Sequence, residues 1–154
     1  MYGIDIPNRT AKLLDNGTAK FNATNLPTAA LSIARLLALP IMSSSGPSLS
    51  DYANRLVYIS SFRTSQREIL DAVQRVTKTS DRDWTITNRD GQEHMAEGAV
   101  KLAKGDFMGL ADILYGAVMK GDMGGDYESE RGVSNTALDL PEENLDDSVR
   151  GALV

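Results

Sequence analysis

The chain has 154 residues, 42% hydrophobic and 24% charged, with a formal net charge of −5 and no cysteine. Those figures fit one globular unit and exclude disulfides, thiolate metal sites and cysteine nucleophiles. Nine acidic side chains and one basic one, Arg131, fall between Asp122 and Asp147, and no Lys/Arg stripe forms elsewhere to follow a phosphate backbone, which argues against nucleic acid as a ligand.

No basic region followed by an apolar run opens the chain, and no apolar stretch approaches membrane-spanning length. These features predict a cytoplasmic protein without a membrane partner. Three N-x-T sequons, at Asn8, Asn16 and Asn22, then read as chance matches.

Taken in order, Thr10 to Leu14 and Ala19 to Ala23 flank Asp15-Asn16-Gly17, where Asn and Gly tolerate the positive φ of a hairpin turn. This predicts two antiparallel strands. A helix is predicted over Leu26–Leu39: Pro27 sits in its first turn, Pro40 ends it, and Ala30, Ile33, Ala34 and Leu37 form a wide apolar face. Residues 41–53, rich in Ser, Gly and Pro, read as a connecting loop. The run RLVYISSF predicts a buried strand. It feeds TSQREILDAVQRVT, a helix with capping-box spacing at Ser65 and Glu68 and an apolar face of Ile69, Ala72, Val73 and Val76. Trp84 to Asn88 predicts another strand.

Two helices follow at about 91–104 and 107–119, with Asp90 and Asp106 as N-caps and Gly105 and Gly121 as stops. The second carries Phe107, Leu110, Ala111 and Leu114 on one face. The segment GDMGGDYESERG reads as a loop, and the tail from Pro141 as a short acidic helix. The elements sum to an α/β or α+β unit with few strands and about five helices.

No glycine-rich loop joins a strand to a helix. The cluster Gly121, Gly124 and Gly125 follows a helix, and Asp122 and Asp126 would repel a pyrophosphate. No tyrosine stands four residues before a lysine, which removes the helical Tyr-Lys proton-transfer pair. His94, the single histidine, shares a helix face with Glu97, but one histidine without cysteines makes a poor metal centre, and a solvated helix face is the expectation. Residue chemistry alone therefore describes a module with no self-contained catalytic, cofactor or metal site.

The succession of YGIDIPNRTAKLLDNGTAKFNATNLPTAALSIARLLALP, NRLVYISSFRTSQREILDAVQRVT, EGAVKLAKGDFMGLADILYGAVMKGDMGGDY and LDLPEENL resembles the fungal NmrA-like proteins. These belong to the isoflavone-reductase-like branch of the atypical short-chain dehydrogenases. The resemblance runs from Tyr2 to about Leu145. It implies an α/β fold, part of an NAD(P)-binding Rossmann-like protein. In that family an N-terminal half carries the glycine-rich NADP or NAD loop and the reductase lysine, and the C-terminal half covers the substrate crevice.

Residues 1–154 are expected to be one unit matching the C-terminal, substrate-side half, so that no cofactor is expected on this chain alone. No catalytic or cofactor residue carries over. Within that reading Phe62, placed just past a strand's carboxyl end, Met123 and Tyr127 are the candidates for lining a crevice for a small aromatic or phenolic substrate. The expected function is the substrate-side part of an NAD(P)H-dependent oxidoreductase. The alternatives are a non-catalytic redox-sensing regulator acting through a protein partner, and a small stand-alone domain that self-associates.

Overall fold

The computed structural model describes residues 2–121 and 123–153. Within these the fold is α/β, with five short strands and six helices, an architecture consistent with a partial Rossmann-like domain. The chain divides into two compact units: Met1–Phe21, Thr64–Asp126 and Asn144–Val154 form the first, and Asn22–Arg63 with Tyr127–Glu143 the second.

The first unit is built on a three-stranded sheet. Strand β1 (Ile4–Asp5) pairs antiparallel with β2 (Thr10–Leu14), and β2 pairs parallel with β5 (Thr85–Arg89), in register from Thr10 opposite Thr85 to Leu14 opposite Arg89. A parallel pair needs a crossover, and helix α2 (Gln66–Thr77) lies in it, packed on β2. The α2 face expected from spacing is the one that is buried: Leu70, Ala72 and Val73 join Ile4, Ala11, Leu13, Trp84 and Val149 in the core, with Ile69 and Val76 against it. Helix α6 (Leu145–Ala152) contributes Val149 and closes on α2, where Arg75 pairs with Asp146 at 2.6 Å. It starts four residues after Pro141, behind an Asn144 cap whose side chain accepts from the Asp147 amide.

The hairpin expected around Asn16-Gly17 does not form. Asp15, Asn16 and Gly17 take φ of 46°, 67° and 68° in succession. A two-residue hairpin turn uses two such residues; here all three form a short 3-10 turn, Asp15–Gly17, that carries the chain off β2. Both edges of β2 are already occupied, by β1 and β5. The following strand, β3 (Phe21–Ala23), pairs instead with β4 (Phe62–Thr64) in a separate two-stranded sheet.

Helices α3 (Gly91–Ala103) and α4 (Met108–Lys120) match the expected positions. The Asp90 carboxylate caps α3 by accepting from the Glu93 amide, and Asp106 accepts from the Met108 amide. Their contact is made by glycines. A Cβ on Gly98 would stand 2.8 Å from the Gly109 carbonyl oxygen, and one on Gly109 would stand 2.2 Å from that of Gly98. The buried side of α4 is accordingly Gly109, Gly116 and Met119. The apolar side read from its spacing faces outward, with Phe107 80% and Leu114 57% exposed. Backbone proximity, and not side-chain bulk, decides which face packs.

The second unit repeats this inversion. Helix α1 (Leu26–Leu37) buries Thr28 and Ser32, while Ala30, Ile33, Ala34 and Leu37 are all exposed. The strand expected over RLVYISSF is replaced by an extended segment that enters β4 only at Phe62. Part of its backbone is satisfied by a loop, while the Ser61 amide donates to the Ala23 carbonyl of β3. The Ser134 amide donates to the Tyr58 carbonyl at 2.8 Å, and the Asn135 carboxamide accepts from the Ser60 amide and donates to the Ser60 carbonyl. Leu56 is left 77% exposed. Helix α5 (Tyr127–Arg131) occupies part of the segment read as a loop. Gly121 ends α4 in the left-handed region as expected, whereas Asp122 lies outside the described residues.

The Gln66 side chain, 2% exposed, binds three backbone groups. Its Oε1 accepts from the Leu14 amide at 2.8 Å, and its Nε2 donates to the Tyr2 and Lys12 carbonyls at 2.8 and 3.2 Å. Replacing it with leucine strands these groups in an apolar setting, and Gln66→Leu is expected to lose roughly 3 kcal/mol in urea unfolding. Gly109→Ala is expected to lose about 2 kcal/mol, because forcing α3 and α4 apart outweighs the roughly 1 kcal/mol helix-propensity gain. Gly151→Ala, in open space on α6, is the control and is expected to gain up to about 1 kcal/mol.

Candidate ligand cavity

The first unit carries a partly open cavity of about 180 Å³. Its base is the β1–β2 hairpin and Gln66. Its sides are Arg89 from β5, His94 from α3, and Asp112, Tyr115 and Met119 from α4. The seating of α3 against α4 depends on Gly116, where a Cβ would stand 2.5 Å from Met95 Cγ and 3.5 Å from His94 Cδ2. The same close helix contact therefore brings His94 to the cavity wall.

Aromatic rings form one side. The Tyr2 ring stacks on Phe21 with centroids 5.6 Å apart and meets Tyr115 edge-on at 5.9 Å. Burial, and then the neighbouring Tyr115, raises the Tyr2 hydroxyl above its ordinary range, so at neutral pH it remains a proton-bearing donor.

The charged groups are partly matched. Arg89 pairs with Glu97 at 2.7 Å, and Lys101 pairs with Asp112 at 2.7 Å. His94 Nε2 lies 3.9 Å from Asp112 Oδ1. His94 Nδ1 is buried and, among the described residues, has no hydrogen-bond partner. Glu97, which shares a helix face with His94, is committed to Arg89, whose hydrogen bond holds its carboxyl below the usual range.

The structure also shows what holds each helix start that follows a strand. At α3 the Gly91 amide donates to Asp15 Oδ1 at 3.0 Å, beside the Asp90 cap. At α2 Ser65 Oγ accepts from the Glu68 amide, and the Glu68 carboxylate takes hydrogen bonds from Lys20 and Thr64. At α1 in the second unit the Glu143 carboxylate accepts from Asn25 Nδ2 at 2.5 Å and from the Thr28 and Ser61 hydroxyls. Helix N-termini attract anions. All three starts here carry a carboxylate of the chain itself, so none fits a pyrophosphate.

The three residues expected to line a crevice are dispersed between the units, and none borders this cavity. Met123 is 58% exposed in the first unit, just after α4. Phe62 opens β4 in the second unit, where it begins a strand instead of following one. Tyr127 opens α5; its hydroxyl donates to the Ile59 carbonyl at 2.6 Å, its ring lies 5.2 Å from Tyr58, and burial raises its hydroxyl. Sequence reasoning passed over Tyr2, Lys12, Arg89, Asp112 and Tyr115, which lie far apart along the chain. The one signal for them was glycine inside predicted helices, at 98, 109 and 116, which marks close approach of another backbone.

Comparison with known proteins finds similarity to fungal proteins named oxidoreductases. Oxidoreductase aprR of Aspergillus flavus is 25% identical over 151 residues, covering 98% of this chain and 47% of aprR. Oxidoreductase poxI of Penicillium oxalicum is 33% identical over 105 residues, covering 68% of this chain and 30% of poxI. The chain thus spans about half the length of aprR and under a third of poxI. No protein-family model and no solved structure matches it. Among the described residues no helix is long and apolar enough to cross a membrane.

The Glu143 cluster yields a pH dependence. Burial pushes this carboxyl up, but hydrogen bonds from Ser61, Thr28 and Asn25 together hold it below its ordinary range. A folded-state value below the unfolded one, about 4.3, stabilises fully above about pH 5 and is lost as pH falls through the folded value. Glu143→Gln is expected to lower stability at pH 7 by about 1–3 kcal/mol. In urea unfolding the gap to the parent chain should close below about pH 4; a gap that stays constant down to pH 3 would refute the assignment.

Proposed function

We propose that this chain is the substrate-side portion of an NmrA-like, isoflavone-reductase-like NAD(P)H-dependent oxidoreductase. In this reading the cavity of the first unit receives the substrate, and the dinucleotide is held by protein outside these 154 residues. The observation that carries the reading is the similarity to aprR along 98% of the chain, against 47% of aprR itself. An activity named for the longer protein then draws on more than the part shared here.

Two structural features support it. The parallel β2–β5 pair with α2 in its crossover is a connectivity that dinucleotide-binding sheets share with other α/β folds. Yet its helix starts are filled by Glu68, Asp90 and Asp15, so the residues present do not suit a bound pyrophosphate and no hydride-transfer step is assigned to them. The outward apolar sides of α1 and α4, including Ile33, Leu37, Phe107 and Leu114, suit a chain that packs against further protein.

Titration of NADPH and NADH against the purified chain tests the assignment of roles. The expected result is no saturable heat and no saturable quenching of Trp84, the single tryptophan. Saturable binding of either nucleotide would place the dinucleotide site within this chain and overturn the proposal.

A further inference from the structure

We propose that the cavity of the first unit recognises a small organic carboxylate with a flat apolar body no larger than one ring. The inference rests on reading that cavity as the substrate site and names the chemistry it selects.

Size sets the first limit. An engineered apolar cavity of about 150 Å³ holds one benzene molecule, and this one measures about 180 Å³. A single ring with one compact substituent fills it, and a fused or two-ring skeleton would extend past its mouth. The shape of the wall sets the second. Tyr2 and Tyr115 stand edge to face, and Met119 and Leu14 complete an apolar lining that accepts a planar body.

Charge sets the third. The cavity is bordered by two permanent cations, Lys12 and Arg89, and by one carboxylate, Asp112. Arg89 is matched by Glu97 and Asp112 by Lys101, whereas the ion pairs among the described residues leave Lys12 unengaged. The border therefore carries one uncompensated positive charge, which an anionic ligand neutralises and a neutral one leaves standing. One further donor favours an acceptor: the Tyr2 hydroxyl, which keeps its proton at neutral pH. A carboxylate is acceptor-only when ionised, which matches a wall of donors.

Benzoate and its neutral isostere benzamide separate shape from charge. With the full chain at neutral pH and low salt, amide and His94 ring resonances are followed by NMR as each probe is added. Benzoate is expected to bind saturably, to shift His94, Tyr2 and Tyr115 signals, and to bind about tenfold more tightly than benzamide. In Lys12→Gln, a change at an exposed position that is expected to leave the unfolding midpoint unchanged, the preference should fall below about threefold.

Equal binding of the two probes, or a preference that survives Lys12→Gln, would overturn the carboxylate assignment while leaving the cavity as a ligand site. Absence of binding by both probes, or shifts mapping away from the cavity, would overturn the assignment together with the reading of this cavity as the substrate site.

Discussion

The first unit depends on one buried amide. A three-stranded sheet whose first strand is two residues long, Ile4–Asp5, has too little ladder to hold its own edge. Gln66 supplies what the ladder lacks. It sits at the first position of α2, so the helix start, the end of β2 at Leu14 and the turn at Tyr2 are fixed by one side chain. A buried polar group is costly when unpaired and rigidifying when all its bonds are made. Gln66 also borders the cavity, and the bonds that hold the hairpin are thus those that shape the cavity floor.

A second constraint acts at the helix contact. Two helices joined through Gly98 and Gly109 come close enough for backbone to meet side-chain positions, and Gly116 extends that approach to His94 and Met95. The consequence reaches the cavity wall. His94 is drawn off the solvated face that its neighbours Glu93 and Glu97 suggest and set beside Asp112. Electrostatics then follows from position: Arg89 pairs with Glu97 and Lys101 with Asp112 beside the cavity.

Much of the element order was legible. The caps Ser65 and Asp90, the stop at Gly121 and the buried face of α2 follow from local rules, because a cap or a helical stripe needs only residues within one or two turns. The failures share one cause. The Asn16-Gly17 turn is formed from permissive residues, but whether it closes a hairpin depends on which strands already occupy β2. RLVYISSF has strand composition, yet Asn135 and Ser134 claimed its backbone groups. The apolar stripes of α1 and α4 were read correctly as stripes, and their burial was not, because Thr28 with Glu143 and Gly109 with Gly98 decide which side packs.

By itself the sequence determined the α/β class, the starts of the longer helices, the absence of thiol chemistry and the lack of a glycine-rich phosphate loop. Each of these is a property of neighbouring residues or of composition. Only the tertiary structure decided that β2 runs parallel to β5, that Gln66 ties the hairpin to α2, and that Tyr2, Lys12, Arg89, His94, Asp112 and Tyr115 border one cavity. Those residues span more than a hundred positions, and no local preference encodes their meeting. They meet because a parallel crossover and a glycine-to-glycine helix contact bring distant backbone together.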